Sequence, residues 1–353
     1  MVLISVILSA CSFQRARLVV NPYENIEWNK TNQFKANFHM HTTNSDGSLT
    51  GDYVVDTYAR NGYSIITITD HDILTWPWSD FSKIKSDWKD RDPDSMKVLA
   101  FPGIELDDPH HRGMYFAWIH GGCYDLDSTF QQARDSLALC IMNHPGRYWK
   151  IKKQYNPKDV FSPEWYIEYL KKYPEIVGIE VYNRPNDAYP YDRILWDELL
   201  TRSMPFRPVW GFANDDMHGK HQMMGNYQFM LMEELSVPAL KAAMKEGAFY
   251  CSNEPGHSGA ALAPRIDSIS VNRNRGKIKV FARDYNSIRW ISGVIGSDST
   301  RTNNVIVEDE QSFKFKRFDK PYIRFELRND KGVTLSQPFG FLIDKQEGYA
   351  RSK

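Results

Sequence analysis

The chain has 353 residues, 42% apolar and 25% charged, proportions of a soluble globular protein long enough for one large domain plus a small one. Its 44 basic and 44 acidic side chains cancel to a formal net charge of zero. That removes the basic excess by which phosphate neutralisation marks most nucleic-acid binders, so a long nucleic acid is not the expected partner.

Taken in chain order, Met1 to Ala10 is almost wholly apolar and runs into Leu8-Ser9-Ala10-Cys11. The run is shorter than the roughly 20 residues of a membrane-spanning helix and lacks a positive n-region, yet small residues precede the cysteine and a polar stretch follows. It resembles the lipobox of bacterial lipoproteins, which implies a signal segment over 1–11 and a lipid on Cys11. The membrane would then be met only through that anchor, and the protein would sit at the bacterial cell envelope. A buried first strand or helix is the competing reading and leaves the chain in the cytoplasm. None of the cysteines, Cys11, Cys123, Cys140 and Cys251, has C-x-x-C spacing, and Cys140 lies in an apolar run where a small core residue is expected.

From Phe34 to about Ser252, short apolar runs alternate with amphipathic helical patterns. Ser64 to Thr69 is β-branched nearly throughout, as in a parallel strand buried on both faces. Lys97 to Phe101, Leu137 to Met142, Ile176 to Val181 and Pro208 to Phe212 read the same way. Thr50 is placed to N-cap a helix over Asp52 to Arg60, stopped by Gly62. Ser162-Pro163-Glu164 starts a helix over Trp165 to Lys172; Arg193 to Arg202 and Val237 to Glu246 follow, the last ended by Gly247. Such alternation predicts a parallel sheet, open or closed into a barrel.

Strand-like runs lead straight into metal-binding residue types at Phe38-His39-Met40-His41, Thr69-Asp70-His71-Asp72, Gly103-Ile104-Glu105, Met142-Asn143-His144, Ile179-Glu180 and Asp215-Asp216-Met217-His218. So many strand ends reach one small site only on the rim of a closed barrel, which selects the closed form. After Pro264 the texture changes. Ile266 to Val271, Lys277 to Arg283, Ile288 to Ile291, Val305 to Glu308, Ser312 to Arg317 and Tyr322 to Arg328 are short alternating segments with no helix pattern between them. With turn sequences such as Asn329-Asp330-Lys331-Gly332, they predict a small β-sandwich over 265–345, joined through Glu254 to Pro264 to a barrel domain over 34–253.

His39 and His41 stand two apart, which on a strand puts both rings on one face. Neutral imidazole suits zinc, manganese or iron. The run they open, through Thr42-Thr43-Asn44-Ser45-Asp46-Gly47, resembles the first motif of the polymerase and histidinol phosphatase (PHP) family of metal-dependent phosphoesterases. Thr69-Asp70-His71-Asp72 resembles the second motif, and Phe101-Pro102-Gly103-Ile104-Glu105 the strand whose glutamate bridges metals. Asn143-His144-Pro145-Gly146-Arg147-Tyr148 is similar to the family's His-Pro motif, and Asp216-Met217-His218 to its closing Asp-x-His. The resemblance covers about residues 34 to 252. It implies a distorted (β/α)7 TIM-like barrel and hydrolysis of phosphate esters at two or three divalent ions (Mn, Zn or Fe). Carried over, the ligands would be His39, His41, Asp46, His71, Glu105, His144, Asp216 and His218. Many members carry another histidine on the strand after the glutamate. Here that strand reads Gly113 to His120, and of His110, His111 and His120 the preferred candidate is His111.

Paired metals bring the pKa of a bridging water towards ~7 and neutralise phosphoryl oxygens. The expected mechanism therefore uses a metal-bridged hydroxide, with Glu105 as the bridging carboxylate and Asp216 binding a metal and orienting the nucleophile. Arg147, directly after His144-Pro145-Gly146, is placed to fork onto phosphate. Asp215 points away from Asp216 if the chain is extended, and Glu180 is left as an outer or substrate-facing group. Trp76-Pro77-Trp78 and Tyr148-Trp149 are suited to stack a nucleobase or sugar ring, although packing accounts for most tryptophans. The expected substrate is a small phosphomonoester such as a nucleotide or sugar phosphate. Two other functions compete: hydrolysis of a C–N or lactone bond, and an envelope lipoprotein that binds a ligand or glycan.

Overall fold

The computed structural model describes residues 16–78, 96–119, 125–149, 160–184, 190–293 and 304–343. The segment 1–11 with Cys11, and also Cys123 and His120, lie outside the described residues. Among the described residues, two half-sheets and five α-helices make up the larger part. In chain order the first strands are β1 (Ala16–Val20), which pairs outside these half-sheets, then β2 (Asn32–Asn37), β3 (Ile65–Ile66), β4 (Leu99–Ala100), β5 (Gly103–Leu106) and β6 (Arg112–Tyr115). They continue as β7 (Leu139–Met142), β8 (Ile176–Asn183), β9 (Trp210–Asn214), β10 (Asn226–Met232) and β11 (Phe249–Asn253). The helices are α1 (Gly51–Arg60), α2 (Leu126–Asp135), α3 (Pro163–Lys172), α4 (Tyr191–Ser203) and α5 (Val237–Glu246).

One sheet runs β5-β6-β7-β8-β9; the other contains the path β11-β10-β2-β3-β4. Isolated parallel bridges, Met40 to Met217 and His71 to Glu105, tie the two together just beyond the ends of β2, β3 and β9. The sheets are not uniformly parallel, contrary to the expectation from strand–helix alternation. β2–β3–β4 and β7–β8–β9 are parallel, whereas β5–β6–β7 and β2–β10–β11 are antiparallel. Between β5 and β6 the reason is chain length: residues 107–111 suffice for a hairpin but not for a crossover of a dozen or more residues.

Capping explains the helix limits. Ser162 accepts from Trp165 N at the start of α3, Ser236 does the same for Ala239 N at α5, and Gly247 ends α5 with φ +73°. Thr50 occupies the N-cap of α1 but makes no side-chain cap bond. α2, which the sequence reading did not single out, is capped by Asp125 accepting from Ser128 N. Phe38, Ile65, Phe101, Tyr115, Ile141, Phe212 and Phe249 pack in one cluster from both sheets. All of β8 is buried, as a strand covered on both faces requires. Cys140 and Cys251 are free and buried.

After Pro264, β12 (Arg265–Asn272), β13 (Lys277–Arg283) and β16 (Ser312–Lys314) form one small sheet. β14 (Ser287–Ile291), β15 (Val305–Glu308), β17 (Tyr322–Arg328), β18 (Val333–Leu335) and β19 (Phe339–Ile343) form the layer facing it, extended by β1. Trp290, Phe313, Phe315, Phe318, Phe325 and Phe341 fill the space between. This second layer is hydrogen-bonded into the first part of the chain, because β18 pairs with β11 through Ser252–Thr334 and its neighbours. A buried ion network adds a second tie. Arg324 of β17 donates Nε and Nη2 to the Asp197 carboxylate of α4 at 2.8 and 2.7 Å, and Nη1 to Glu326 at 2.8 Å.

Candidate metal centre

Beyond β2 the chain stays extended through Met40, so His39 and His41 share a face, and the bonds Met40 N to Thr69 Oγ1 (3.1 Å) and His41 N to Met217 O (3.0 Å) lock them in place. The loop that follows is organised by Asp70. Its carboxylate accepts from Thr42 N (2.6 Å), Thr42 Oγ1 (2.7 Å), Ser45 Oγ (2.8 Å) and Thr75 Oγ1 (2.5 Å). The turn then closes on Gly47, where a Cβ would lie 2.7 Å from the His41 carbonyl. That is the physical content of the His-x-His-Thr-x-x-Ser-Asp-Gly run: it folds Asp46 back over His41. Two further site residues, His144 (φ +29°) and Asp216 (φ +46°), sit in a region non-glycine residues seldom enter, a strain that persists where the surroundings over-determine it.

Glu105 lies at the centre. Its Oε2 is 3.1 Å from His39 Nε2 and 3.2 Å from both His41 Nε2 and His71 Nδ1; its Oε1 is 3.3 Å from His111 Nδ1 and from His144 Nε2. Potential ligand atoms gather in three groups, each within 4.8 Å: His39, His41, Glu105 and Asp216; His41, Asp46, His71 and His218; and His71, Glu105, Asp107 and His111. Asp216 Oδ1 stands 3.4 Å from His39 and 3.3 Å from His41, and His218 Nε2 stands 3.2 Å from Asp46. His144 belongs to none of these groups; its Nε2 lies 3.3 Å from Glu105 Oε1, and its ring packs against His39 and His111. His110 turns away, held between Tyr166 OH and the His111 carbonyl.

Groups one layer out hold the inner ones. Glu180 Oε1 contacts His39 Nδ1 at 2.8 Å and accepts from Asn214 Nδ2, while Oε2 accepts from His144 N and Asn183 Nδ2. Glu180 therefore fixes which His39 nitrogen faces inward, the usual role of a carboxylate behind a ligating imidazole. Asn143 Nδ2 donates to Glu105 Oε1 at 2.8 Å. Asp215 does point away, accepting from Tyr58 OH and the backbone of Met224, Gly225 and Asn226. Asp192 accepts from Gly146 N at 2.5 Å and anchors the His144–Arg147 turn; burial pushes its carboxyl up to about 7.

Two residues near the centre escaped the sequence reading. Asp107 lies two positions after Glu105, just past the end of β5, and contacts His71 Nδ1. That spacing was the available signal. Arg184 donates Nε to Asp216 Oδ2 at 3.3 Å beside Arg147 Nη2 at 2.7 Å. It follows β8 in a left-handed conformation (φ +56°), which sequence does not reveal. Of the loop aromatics, Trp76 and Trp78 pack on each other, whereas Tyr148 is half-buried beside His111 and His144. Trp78 is 2% exposed, and Tyr148 stacks on His110 while its OH accepts from His111 N.

Burial opposes charge on His39, but Glu105, Glu180 and Asp216 outweigh it and raise that ring well above its ordinary value. His41 is likewise raised against burial, to about 9, by Asp216 and Glu105. Glu105 and Asp216 are held well below the carboxylate range, again against burial, chiefly by His39. Burial lowers His144 and His218. Even so, His41 Nδ1, Glu105 Oε2, His111 Nδ1 and both His144 ring nitrogens are buried without a hydrogen-bond partner. Buried polar atoms are rarely left so. Lone pairs aimed together at ligand spacing fit divalent cations, and the nitrogen–oxygen donor set suits zinc, manganese or iron.

No family model matches the sequence, and no curated protein matches it. Among solved structures, one match spans nearly the whole chain: a two-domain protein from Bacteroides vulgatus containing a predicted PHP-like metal-dependent phosphoesterase. It shares 17% identity over 92% of this chain and 98% of its own, with a TM-score of 0.50. The fold is PHP-like. Less similar are the lesion-specific endonuclease EndoQ of Pyrococcus furiosus (12% identity, TM-score 0.41, 61% of this chain and 56% of its own) and an amidohydrolase from Chromobacterium violaceum (13%, 0.38, 61% and 96%). Within this PHP-like frame Glu105 lies on β5 itself, and the other histidine and carboxylate groups follow the ends of β2, β3, β5, β7 and β9, on the side where the two half-sheets are bridged.

Proposed function

We propose that this chain is a metal-dependent phosphoesterase that hydrolyses a small phosphomonoester, with nucleotide and sugar phosphates as first candidates. The observation that carries the proposal is the set of buried, unmatched donor atoms around Glu105 with two guanidinium groups directly beside it. His39, His41, Glu105 and Asp216 would hold one ion, Asp46, His71 and His218 another, and Glu105 with His111 and His144 a third. Ions so held supply an activated water as nucleophile and neutralise the phosphoryl oxygens of the transition state.

The chain's own residues do the rest. Glu105 reaches different histidines with its two oxygens and is suited to bridge. Asp216 turns Oδ1 to His39 and His41 and offers Oδ2 to Arg147 and Arg184, so one carboxylate links the ligand set to the cations. Both arginine side chains are about one-third exposed (35% and 33%), open to a phosphate arriving from solvent. A planar fork matches phosphate oxygens in pairs, and two forks favour a terminal phosphate with its extra charge over a diester.

The test is phosphate release from a panel of nucleotide, sugar and amino-alcohol phosphates and an oligonucleotide, after chelation and after adding back Mn, Zn or Fe. Release restored only with metal supports the proposal. No release with any metal, from protein shown to bind metal, overturns it. A lipid on Cys11 would set this activity at the cell envelope; Cys11→Ser should then leave the membrane fraction.

A further inference from the structure

Each imidazole has two nitrogens, and a neutral ring offers only one lone pair to a metal. His71 lies in two of the three ligand groups, so its ring must be committed to one of them. We infer that Asp107 makes that choice. It is a positioning residue that takes the Nδ1–H of His71 and leaves Nε2 for the ion held with Asp46 and His218. This rests on the metal-centre reading above.

Separations carry the argument. Two donors on one ion, at bonds of about 2.1 Å, stand about 3 Å apart at a right angle and about 3.4 Å apart at the tetrahedral angle. His71 Nε2 to Asp46 Oδ1 (3.6 Å) and His218 Nε2 to Asp46 Oδ2 (3.2 Å) are spacings of that kind. Asp107 Oδ1 and His71 Nδ1 are closer, at hydrogen-bond contact. A fully buried histidine with a carboxylate behind it, His39, repeats the arrangement. His39 Nδ1 meets Glu180 Oε1 at hydrogen-bond distance, 2.8 Å, while Nε2 faces Glu105 Oε2 and Asp216 Oδ1 at 3.1 and 3.4 Å. Asp107 thus stands to His71 as Glu180 stands to His39. With Nδ1 protonated, the nearby Glu105 Oε2 (3.2 Å) is free of His71 as a co-ligand, and the ion beside it falls to Glu105, His111 and His144.

The test strips the whole chain with chelator and titrates it with Mn²⁺ by calorimetry, checking the folded state by circular dichroism. Removing such a carboxylate costs about 10–100-fold in metal affinity. Asp107→Ala should weaken one ion by that factor, and it should be the ion that His218→Ala weakens. A double variant with His71→Ala should bind it no more weakly than His71→Ala alone, because Asp107 acts through that ring. Asp107→Asn keeps an oxygen that accepts from Nδ1–H and should recover part of the loss; it also decides the matter should Asp107→Ala not fold. Unchanged affinities in both Asp107 variants overturn the inference. So does a loss shared with His111→Ala but not His218→Ala, which would make Asp107 a ligand of the neighbouring ion. A wild-type chain that binds Mn²⁺ but hydrolyses no phosphate ester overturns the proposed function alone, and one that binds no divalent ion overturns both.

Discussion

Between α4 and β17, Arg324 (2% exposed) uses Nε, Nη1 and Nη2 on Asp197 and Glu326, and Arg328 Nη2 donates to the second oxygen of Glu326. Around Glu105 the burial is as deep, yet donor and acceptor atoms are left unmatched. Taking several charges out of water costs several kcal/mol each unless something repays it. In the ion network the repayment is visible as hydrogen bonds within the chain. At the metal centre it is missing from the chain, and a cation is what would supply it. Burial of charge therefore does not mark a site by itself; a convergent set of buried ligand atoms without partners does.

The largest test of that contrast is at the centre. Asp216→Ala or His39→Ala should lower turnover by about a thousandfold or more, on the order of 4 kcal/mol in the barrier, with an unchanged circular-dichroism spectrum. Full activity in either variant would remove the metal-centre mechanism. The matching cut in the ion network should strike stability instead. Arg324→Met leaves Asp197 and Glu326 buried without their shared cation and should cost about 3–5 kcal/mol in urea unfolding. Metal affinity should be untouched; a loss of metal binding in Arg324→Met would mean that the two regions are coupled. Next in size is Glu180→Gln, which keeps a hydrogen-bond acceptor for His39 Nδ1 but removes the charge behind it. It should weaken binding at the His39 ion by about tenfold or more, read by metal titration.

How far sequence reaches can be judged from particular residues. His39, His41 and Asp46 were legible because one local loop, pinned by Asp70, carries them all. Strand limits were legible where a ladder uses every residue: Lys277–Arg283 and Tyr322–Arg328 fall where the alternation places them. Of Ser64 to Thr69, by contrast, only Ile65–Ile66 forms ladder, and beyond it the Thr67 and Thr69 hydroxyls bond to Phe101 O and Met40 N. Strand direction was not legible, since alternation of apolar residues is the same for both senses. Nor was Arg184, whose approach to Asp216 depends on a backbone turn and on a partner 32 residues away.

The smallest effect, and the sharpest for the comparison, is in the slope of stability with pH. Glu326 is buried, which by itself would raise its carboxyl, but Arg324 and Arg328 bring it from 4.5 down to about 2. Between those values the unfolded chain binds more protons than the folded one. Its contribution is therefore full above pH 4.5 and is lost as pH falls towards about 2, with or without metal. His41 runs the other way in metal-free protein. Raised from 6.5 to about 9, it contributes stability that is full below 6.5 and lost as pH rises through about 9. A ligating imidazole must give up that proton, so metal binding, and the stability it adds, strengthens across the same window. Melting temperatures from pH 6.5 to 9 should then fall in chelator and rise in saturating Mn²⁺, whereas the acid limb below pH 4.5 keeps its sense in both. Parallel slopes in the upper window would mean that His41 gives up no proton to a metal, and would separate it from the ligand set while leaving the ion network as described.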